Sequence, residues 1–390
     1  SFFYCTKNSM NILNINSLLN PETGGGTAER TIQMSRYLSF ETGINVSILT
    51  LDLDLTSEVY DNLEGVNIEK IPCLNERFFF PAIFDRRISR SIKKADIIHL
   101  MGHWTIINFV SFFWIKKYKK PYVVCPAGAL PIFGRSKVLK RLYNYFGGKL
   151  CIQNADVNIA ISEDEFSHFK NYGVDEKKII LLPNGVEPNL YTFTNNKHVR
   201  EKFELGKSPF LLFVGRLNLI KGPDLLLEAF SKIIKEYPNY LLVYAGNDDG
   251  LKPKLNEMIK KYDLQKKVKF IGFVQGELKS ELFHAAHLLV IPSRLEAMSI
   301  VVLESAITGT PVLMTNTCGL NAMTGENGAY AVSPDAVSLE EGLRIMLSKP
   351  DELSLRGSKI KHYVEISFSW SSLVKKYVKM YDDINKSFNK

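Results

Sequence analysis

The chain has 390 residues, a length that at about 100 to 200 residues per domain predicts two or three domains, each able to bury its own core. Hydrophobic residues make up 45% and charged residues 23%, ordinary globular usage that excludes a mainly disordered or fibrous chain. The net charge is +8, no apolar run reaches the roughly 18 to 20 residues that cross a bilayer, and no secretory leader pattern opens the chain, so neither a membrane span nor export is expected. The five cysteines, Cys5, Cys73, Cys125, Cys151 and Cys318, are scattered and without CxxC spacing, which points away from a disulfide framework or a zinc site and towards a reducing cytosol.

In chain order, short β-branched apolar runs alternate with longer helical stretches, the pattern of a parallel sheet built from βαβ units. Strands are expected over residues 11–16, 45–49, 97–100, 122–125, 157–161 and 179–182. A helix is expected over 27–40, where Ile32, Met34, Tyr37 and Leu38 form an apolar stripe and Gly43 follows as a stop. The second half restarts with strands at 210–214, 241–245, 268–271, 288–291, 311–314 and 330–332, and a helix over 224–237. Turn residues at 183–186 and a polar stretch at 195–207 place the boundary between domains 1–190 and 191–368. Trp370, Leu373, Val374, Tyr377, Met380 and Tyr381 lie at helical spacing, so 369–390 reads as a helix packing back towards the N-terminal domain. The fold class is α/β: two Rossmann-like domains facing each other across a cleft.

The charge is uneven. Residues 77–149 hold 15 Lys and Arg against Asp85 and Asp96, a local +13 that leaves −5 for the rest. The cations are mixed with Phe78, Phe79, Phe80, Phe84, Phe112, Phe113 and Trp114. Such a segment suits anionic lipid, a polyanionic saccharide or a solvated face over core aromatics. No RRM, KH, zinc-finger or helix-turn-helix signature accompanies it, so nucleic acid is not expected.

Three motifs point to chemistry. Gly24-Gly25-Gly26 follows the first strand, where bare backbone N–H groups beside a helix N-terminus can approach a phosphate or a sugar, although such loops also serve as plain tight turns. Gly215-Arg216, with Lys221-Gly222 after it, sets two permanent cations five residues apart between a strand and a helix, an arrangement suited to a diphosphate. Pro292 to Glu304 carries Glu296 and Glu304 eight residues apart, with a helix starting near Ser299; one acid can hold a hexose and the other the vicinal hydroxyls of a ribose. Asp52-Leu53-Asp54 matches a metal-binding DxD in letters, but it follows a strand of the first half and reads as a turn.

The glycine run, PNGVE (183–187), FVGRLNLIKG, AGNDDG, FIGFV and PSRLEAMSIVVLESAITGTPVL together resemble family 4 of the retaining GT-B glycosyltransferases, over nearly the whole chain. That resemblance implies transfer of a hexose from a nucleotide-diphosphate sugar with retention of the anomeric configuration. It implies that Arg216 and Lys221 neutralise the diphosphate, Glu296 holds the hexose and Glu304 the ribose. Gly215, Ala297, Met298, Ser299 and Ile300 would line the donor, Gly25 and Gly26 would close on it, and the base would stack near Phe273 and Val274. No cofactor and no metal are implied, the two cations serving instead.

Two departures stand out. Many relatives carry GFG after the first glutamate, whereas this chain has Ala297-Met298-Ser299. Some relatives carry a histidine after the fifth strand, but residues 125–129 have none, so His103 becomes the candidate for the acceptor side. The expected partners are a nucleotide sugar, UDP- or GDP-linked, and a saccharide or lipid-linked saccharide used in surface polysaccharide or lipopolysaccharide assembly. The expected location is cytoplasmic, with an anionic membrane surface met through 77–149. Competing readings are a nucleotide-sugar epimerase, a phosphorylase, for which no pyridoxal-phosphate lysine motif is seen, and a protein that only binds nucleotide sugar.

Overall fold

The computed structural model describes residues 9–132, 136–193 and 195–388, so Cys5 and Arg135 lie outside the described residues. The chain divides into two compact units, residues 1–184 with 370–390, and residues 185–369. The division falls at Asn184 and Gly185, before the expected position 190.

The first unit is built on seven parallel strands: β1 (Met10–Ile15), β2 (Ile44–Leu51), β3 (Asn67–Ile71), β4 (Ile97–Met101), β5 (Tyr122–Cys125), β6 (Val157–Ala160) and β7 (Ile179–Leu181). They lie in the order β3-β2-β1-β4-β5-β6-β7. β4 and β5 are buried along their whole length, as expected where helices cover both faces of a parallel sheet. Leu13, Ile15, Leu49, Ile98, Leu100 and Val124 form the centre of the core. β3 is a strand that hydrophobic patterning does not reveal, because this edge segment, Asn-Ile-Glu-Lys-Ile, is mostly half-exposed and carries two charges.

The first helix runs Pro21–Ser39 rather than from residue 27. Asn20 caps it by accepting the Glu22 N–H at 2.9 Å, and Pro21 occupies the first turn, where a missing N–H costs nothing. Gly25 (φ 59°, ψ −149°) breaks the helix, so the glycine run lies within it instead of in front of it. The helix Trp370–Phe388 belongs to this unit and buries Trp370, Leu373, Val374, Tyr377, Met380, Tyr381 and Ile384. It is joined to the first helix by Arg30, fully buried, which donates to the Tyr377 hydroxyl, to Asn184 Oδ1 at 2.7 Å and to the Leu182 carbonyl at 2.8 Å.

The second unit carries six parallel strands: β8 (Phe210–Val214), β9 (Leu241–Ala245), β10 (Val268–Gly272), β11 (Leu288–Ile291), β12 (Val312–Thr315) and β13 (Tyr330–Val332). Their order is β10-β9-β8-β11-β12-β13. The chain therefore leaves β8 in one direction and returns on its other side at β11. In open parallel sheets the crevice outside the strand ends at such a reversal is where ligands bind. Leu211, Phe213, Leu226, Phe230, Val290 and Leu313 lie at the core. The segments that enter and leave this unit lie side by side, with the Val186 N–H donating to the Phe368 carbonyl at 2.8 Å.

Candidate active site

The reversal point between β8 and β11 is where the second unit gathers its charges. The loop after β8 runs from Gly215 to Gly222, and the loop after β11 runs from Pro292 to Ser299. Gly222 (φ +69°) begins the helix Pro223–Ile233, and a Cβ there would stand 2.1 Å from the Pro292 carbonyl oxygen, so only glycine lets the two loops touch. Gly319 (φ +68°) does the same on the other flank, where a Cβ would meet the Ala297 carbonyl oxygen at 1.9 Å. Backbone bonds lock the arrangement: Arg294 N–H to the Ile220 carbonyl at 2.7 Å and Glu296 N–H to the Thr317 carbonyl at 3.0 Å.

Within this frame Lys221 Nζ lies 2.6 Å from Glu296 Oε1, an ion pair across the reversal point. Ser293 Oγ donates to Glu296 Oε2 at 2.9 Å. The Ser293 carbonyl in turn accepts from the hydroxyls of Thr315 and Thr317, each at 2.6 Å. Arg294 makes a two-pronged pair with Asp224, at 2.8 and 3.0 Å, and donates to the Leu219 carbonyl at 2.6 Å. Burial pushes the Asp224 carboxyl up, but the Arg294 hydrogen bond and charge, with Lys254 beside them, outweigh it and hold it below the usual carboxylate range. Arg294 and Asp224 thus tie the β11 loop to the helix that follows Lys221. Burial, with Glu296 adding to it, pushes the Cys318 thiol up to about 12, so that sulfur is a neutral packing group.

Glu304 sits in the helix Ile300–Ile307, nearly buried. Tyr191 donates its hydroxyl to Oε1 at 2.7 Å, and Lys279 Nζ lies 2.6 Å from Oε2. Each carboxylate oxygen keeps a second lone pair, but Oε2 is buried against Lys279, so a hydroxyl must displace that contact to reach it. Ser299 occupies the cap position of this helix without a side-chain capping bond, and its own N–H is committed to the Cys318 carbonyl at 3.1 Å. Ser299 therefore has no spare N–H for a ligand, and the helix's open N–H groups begin at Ile300. Met298 is buried and Ala297 half-exposed.

Arg216 reaches into solvent, with Asp249 3.7 Å away, a pairing weak enough for the guanidinium to turn to an incoming anion. Phe273, just past β10, exposes its ring while Val274 packs inward. Arg216, Gly215, Lys221, Glu296, Glu304 and the residues from Phe273 to Ile300 named above all belong to the second unit and follow the carboxyl ends of its strands.

Gly25, Gly26 and His103 belong to the first unit. Gly25 and Gly26 are exposed at the break in its first helix. His103 is buried, with Nε2 bonded to Asn144 Oδ1 at 3.0 Å and its ring edge-on to Trp104, Tyr143 and Tyr172. Burial lowers its pKa to about 4, against a raising contribution from the Asn144 bond, so it is neutral at pH 7. Asp52 pairs with Lys70 at 3.3 Å and Asp54 takes a left-handed φ of 54°, as a turn residue does. Among the described residues no group of three or more His, Cys, Asp or Glu is placed to hold a metal ion.

Patterning did not single out Tyr191, Lys279, Ser293 or the Asp224 and Arg294 pair. Lys279 stands among ordinary helix formers, and Tyr191 is 113 residues from its partner, so neither leaves a local signal. Arg294, one residue after Ser293 in the quoted motif, could have been found by asking what anchors a loop that must hold a glutamate still.

Comparisons with known proteins bear on the family and the fold. The model of the glycosyl transferases group 1 matches residues 195–361, and that of glycosyltransferase family 4 matches residues 24–190. A glycosyltransferase of Methanocaldococcus jannaschii is 28% identical, over 93% of this chain and 95% of its own. The D-inositol 3-phosphate glycosyltransferase of Geodermatophilus obscurus is 23% identical, over 92% of this chain and 84% of its own. Among solved structures, Anabaena HepE in complex with UDP and glucose superposes with a TM-score of 0.79 at 16% identity, covering 96% of this chain and all of that one. Ordered motifs, two parallel-sheet units and family matches over both halves agree, and the chain belongs to the family 4, group 1 glycosyltransferases of the GT-B fold.

Proposed function

We propose that this glycosyltransferase moves a hexose from a nucleotide-diphosphate sugar to a saccharide or lipid-linked saccharide in surface polysaccharide synthesis, with retention and without a metal. The observation that carries the donor half is the pairing of Lys221 with Glu296 at 2.6 Å across the sheet's reversal point, with Glu304 held by Tyr191 and Lys279 in the following helix. A diphosphate entering there meets Lys221, Arg216 and the open N–H groups at Ile300. Its charge frees Glu296 from Lys221, and the released carboxylate accepts hexose hydroxyls. Glu304 accepts the ribose hydroxyls, and Phe273 offers a ring to the base. HepE binds UDP and UDP-glucose, which favours UDP over GDP as the nucleotide.

In the reaction the bond between the anomeric carbon and the diphosphate oxygen breaks, its electron pair leaving on the phosphate. The acceptor hydroxyl forms the new bond from the same face and passes its proton to the departing phosphate oxygen. Arg216 and Lys221 stabilise the charge that grows on the leaving group, a preorganised electrostatic contribution worth several kcal/mol in comparable sites. For Gly25 and Gly26, and for His103 as an acceptor residue, this reading rests on the family resemblance. For His103 to touch an acceptor, the Asn144 bond must open. Basic residues of 77–149 would hold the enzyme at an anionic, cytosolic membrane face, where a lipid-linked acceptor resides.

The test is calorimetric titration with UDP-, GDP-, ADP- and dTDP-sugars in the presence of EDTA. One nucleotide should bind, and Glu304→Ala and Lys221→Ala should each abolish the binding. Binding that disappears with EDTA would remove the metal-free part, and binding that ignores both substitutions would remove the site.

A further inference from the structure

The basic segment contains a surface that ordinary folding does not call for. Residues 137–153 run from the helix Lys137–Tyr143 through a π turn at Asn144–Gly148, where Gly147 (φ 148°) kinks the path, to the helix Lys149–Gln153. None of residues 137–143 is buried, and the contacts that hold the segment come mainly from the Tyr143 ring and from the residues after it. Gly147, Gly148, Cys151 and Ile152 are buried, and the Tyr143 ring packs on Phe109 and Trp104. A helix of a soluble domain places charge on its solvent side. Here the solvent side carries Val138, Leu139, Leu142, Tyr145, Phe146 and Leu150, recurring along the segment and between 45 and 82% exposed. Lys137, Arg141 and Lys149 stand exposed among them.

The charge around the stripe has one sign. Residues 97–155 contain nine Lys and Arg and no acid at all. A second copy of the chain would set these cations against each other with no carboxylate in the stretch to pair them. An anionic lipid surface meets both features, accepting apolar side chains between its headgroups and cations against its phosphates. No helix among the described residues is long and apolar enough to cross a bilayer, so the contact is with the interface.

We infer that residues 137–150 are a membrane-insertion element that seats the first unit on an anionic bilayer, with Leu139, Leu142, Tyr145 and Phe146 entering the headgroup region and Lys137, Arg141 and Lys149 pairing with lipid phosphates. This deepens the membrane reading above and is independent of the donor chemistry.

The experiment uses the whole chain with vesicles of phosphatidylcholine, alone or with about a quarter phosphatidylglycerol. The protein floats with the anionic vesicles at about 0.05 M salt and much less at 0.5 M. Leu139→Asp with Phe146→Asp weakens flotation by tenfold or more. Changing Lys137, Arg141 and Lys149 to Gln weakens it by about a hundredfold at low salt. In a Phe146→Trp reporter, emission shifts to the blue and is quenched by brominated acyl chains only with anionic vesicles. Absence of flotation overturns the inference, as does flotation with neither blue shift nor quenching. It is equally overturned by a lipid-free dimer in sedimentation that Leu139→Asp dissociates. Unchanged thermal midpoints show that the variants fold. UDP-sugar titrations on the same samples report the donor site separately, so a failure there leaves the vesicle result standing.

Discussion

The two units share a parallel-sheet plan and use charge in opposite ways. In the second, Lys221 with Glu296 and Lys279 with Glu304 are ion pairs that, in the proposed reading, a ligand exchanges for its own groups. In the first, Arg30, Glu165 and His99 are sealed inside. Arg30 holds Tyr377, Asn184 and Leu182, Glu165 accepts the N–H groups of Ile161 and Gly128, and His99 Nδ1 meets the Tyr381 hydroxyl at 2.8 Å. Burial alone would lower the Arg30 pKa, but Cys125, Tyr377 and Glu165 around it raise it, so its charge is permanent. The most perturbed groups are therefore structural ones, and perturbation marks a functional site only where a ligand can arrive.

The largest effect expected from this contrast is on the exchangeable side. Lys221→Ala should lower the transfer rate by about a thousandfold, because the charge on the departing phosphate loses its fixed counterion and Glu296 loses its partner. Unfolding by denaturant should shift by no more than about 1 to 2 kcal/mol, since the pair is partly buried but Ser293 still donates to Glu296. A variant that unfolds early but still transfers sugar would reverse the contrast.

Next comes the sealed side. Arg30→Met leaves the Tyr377 hydroxyl, Asn184 Oδ1 and the Leu182 carbonyl without their donor, a loss of about 3 kcal/mol. Calorimetric unfolding should show the first unit's transition moving down. Nucleotide binding, whose charged contacts are proposed on the second unit, should change far less than that transition. An unmoved transition would mean that the network holds nothing.

This division also explains what the sequence could and could not disclose. Strands such as β8 and β11 are short apolar runs ended by glycine or proline, so they are visible as patterns, and so are Arg216, Lys221, Glu296 and Glu304, which lie next to those ends. β3 is hidden because an edge strand need not be apolar. Pro21 to Gly26 reads as a loop, but Asn20 and Pro21 start a helix there that Gly25 then breaks. Lys279, Tyr191 and Arg30 gain their roles only from partners distant in sequence, and the exposed face of 137–150 is apolar in the letters but turned outward only by the fold.

The acid side of the stability profile gives the next smaller effect. Burial, with the Arg30 charge adding to it, lowers the His99 pKa to about 3, and burial lowers that of His103 to about 4. An unfolded histidine titrates near 6.5, so below that value the unfolded chain binds protons that the folded one refuses. Their contribution is complete above pH 6.5 and is lost as pH falls towards 4, at up to about 1.4 kcal/mol per pH unit for each. Denaturant midpoints measured between pH 6.5 and 4.5 should show this slope, and a His99→Gln, His103→Gln variant should flatten it. An unchanged slope in the variant would show that neither ring is held neutral.

The smallest effect tests how Glu304 is prepared. Tyr191 donates to one carboxylate oxygen and Lys279 pairs with the other, so the acid is already half-bound before any ribose arrives. Tyr191→Phe removes a single hydrogen bond to a charged group, and the ring still packs against Phe283. The freed lone pair can be taken by a ribose hydroxyl, which returns part of the loss. Nucleotide Kd should therefore weaken by no more than about fivefold, set by the carboxylate's lost orientation rather than its lost charge. Lys279→Met differs in kind, because it leaves a nearly buried carboxylate without its cation, and binding should then become steeply dependent on pH where Tyr191→Phe leaves the pH profile unchanged. If the two variants weaken binding alike at every pH, Glu304 is not held as a charge, and the parallel between its pair and that of Lys221 with Glu296 breaks.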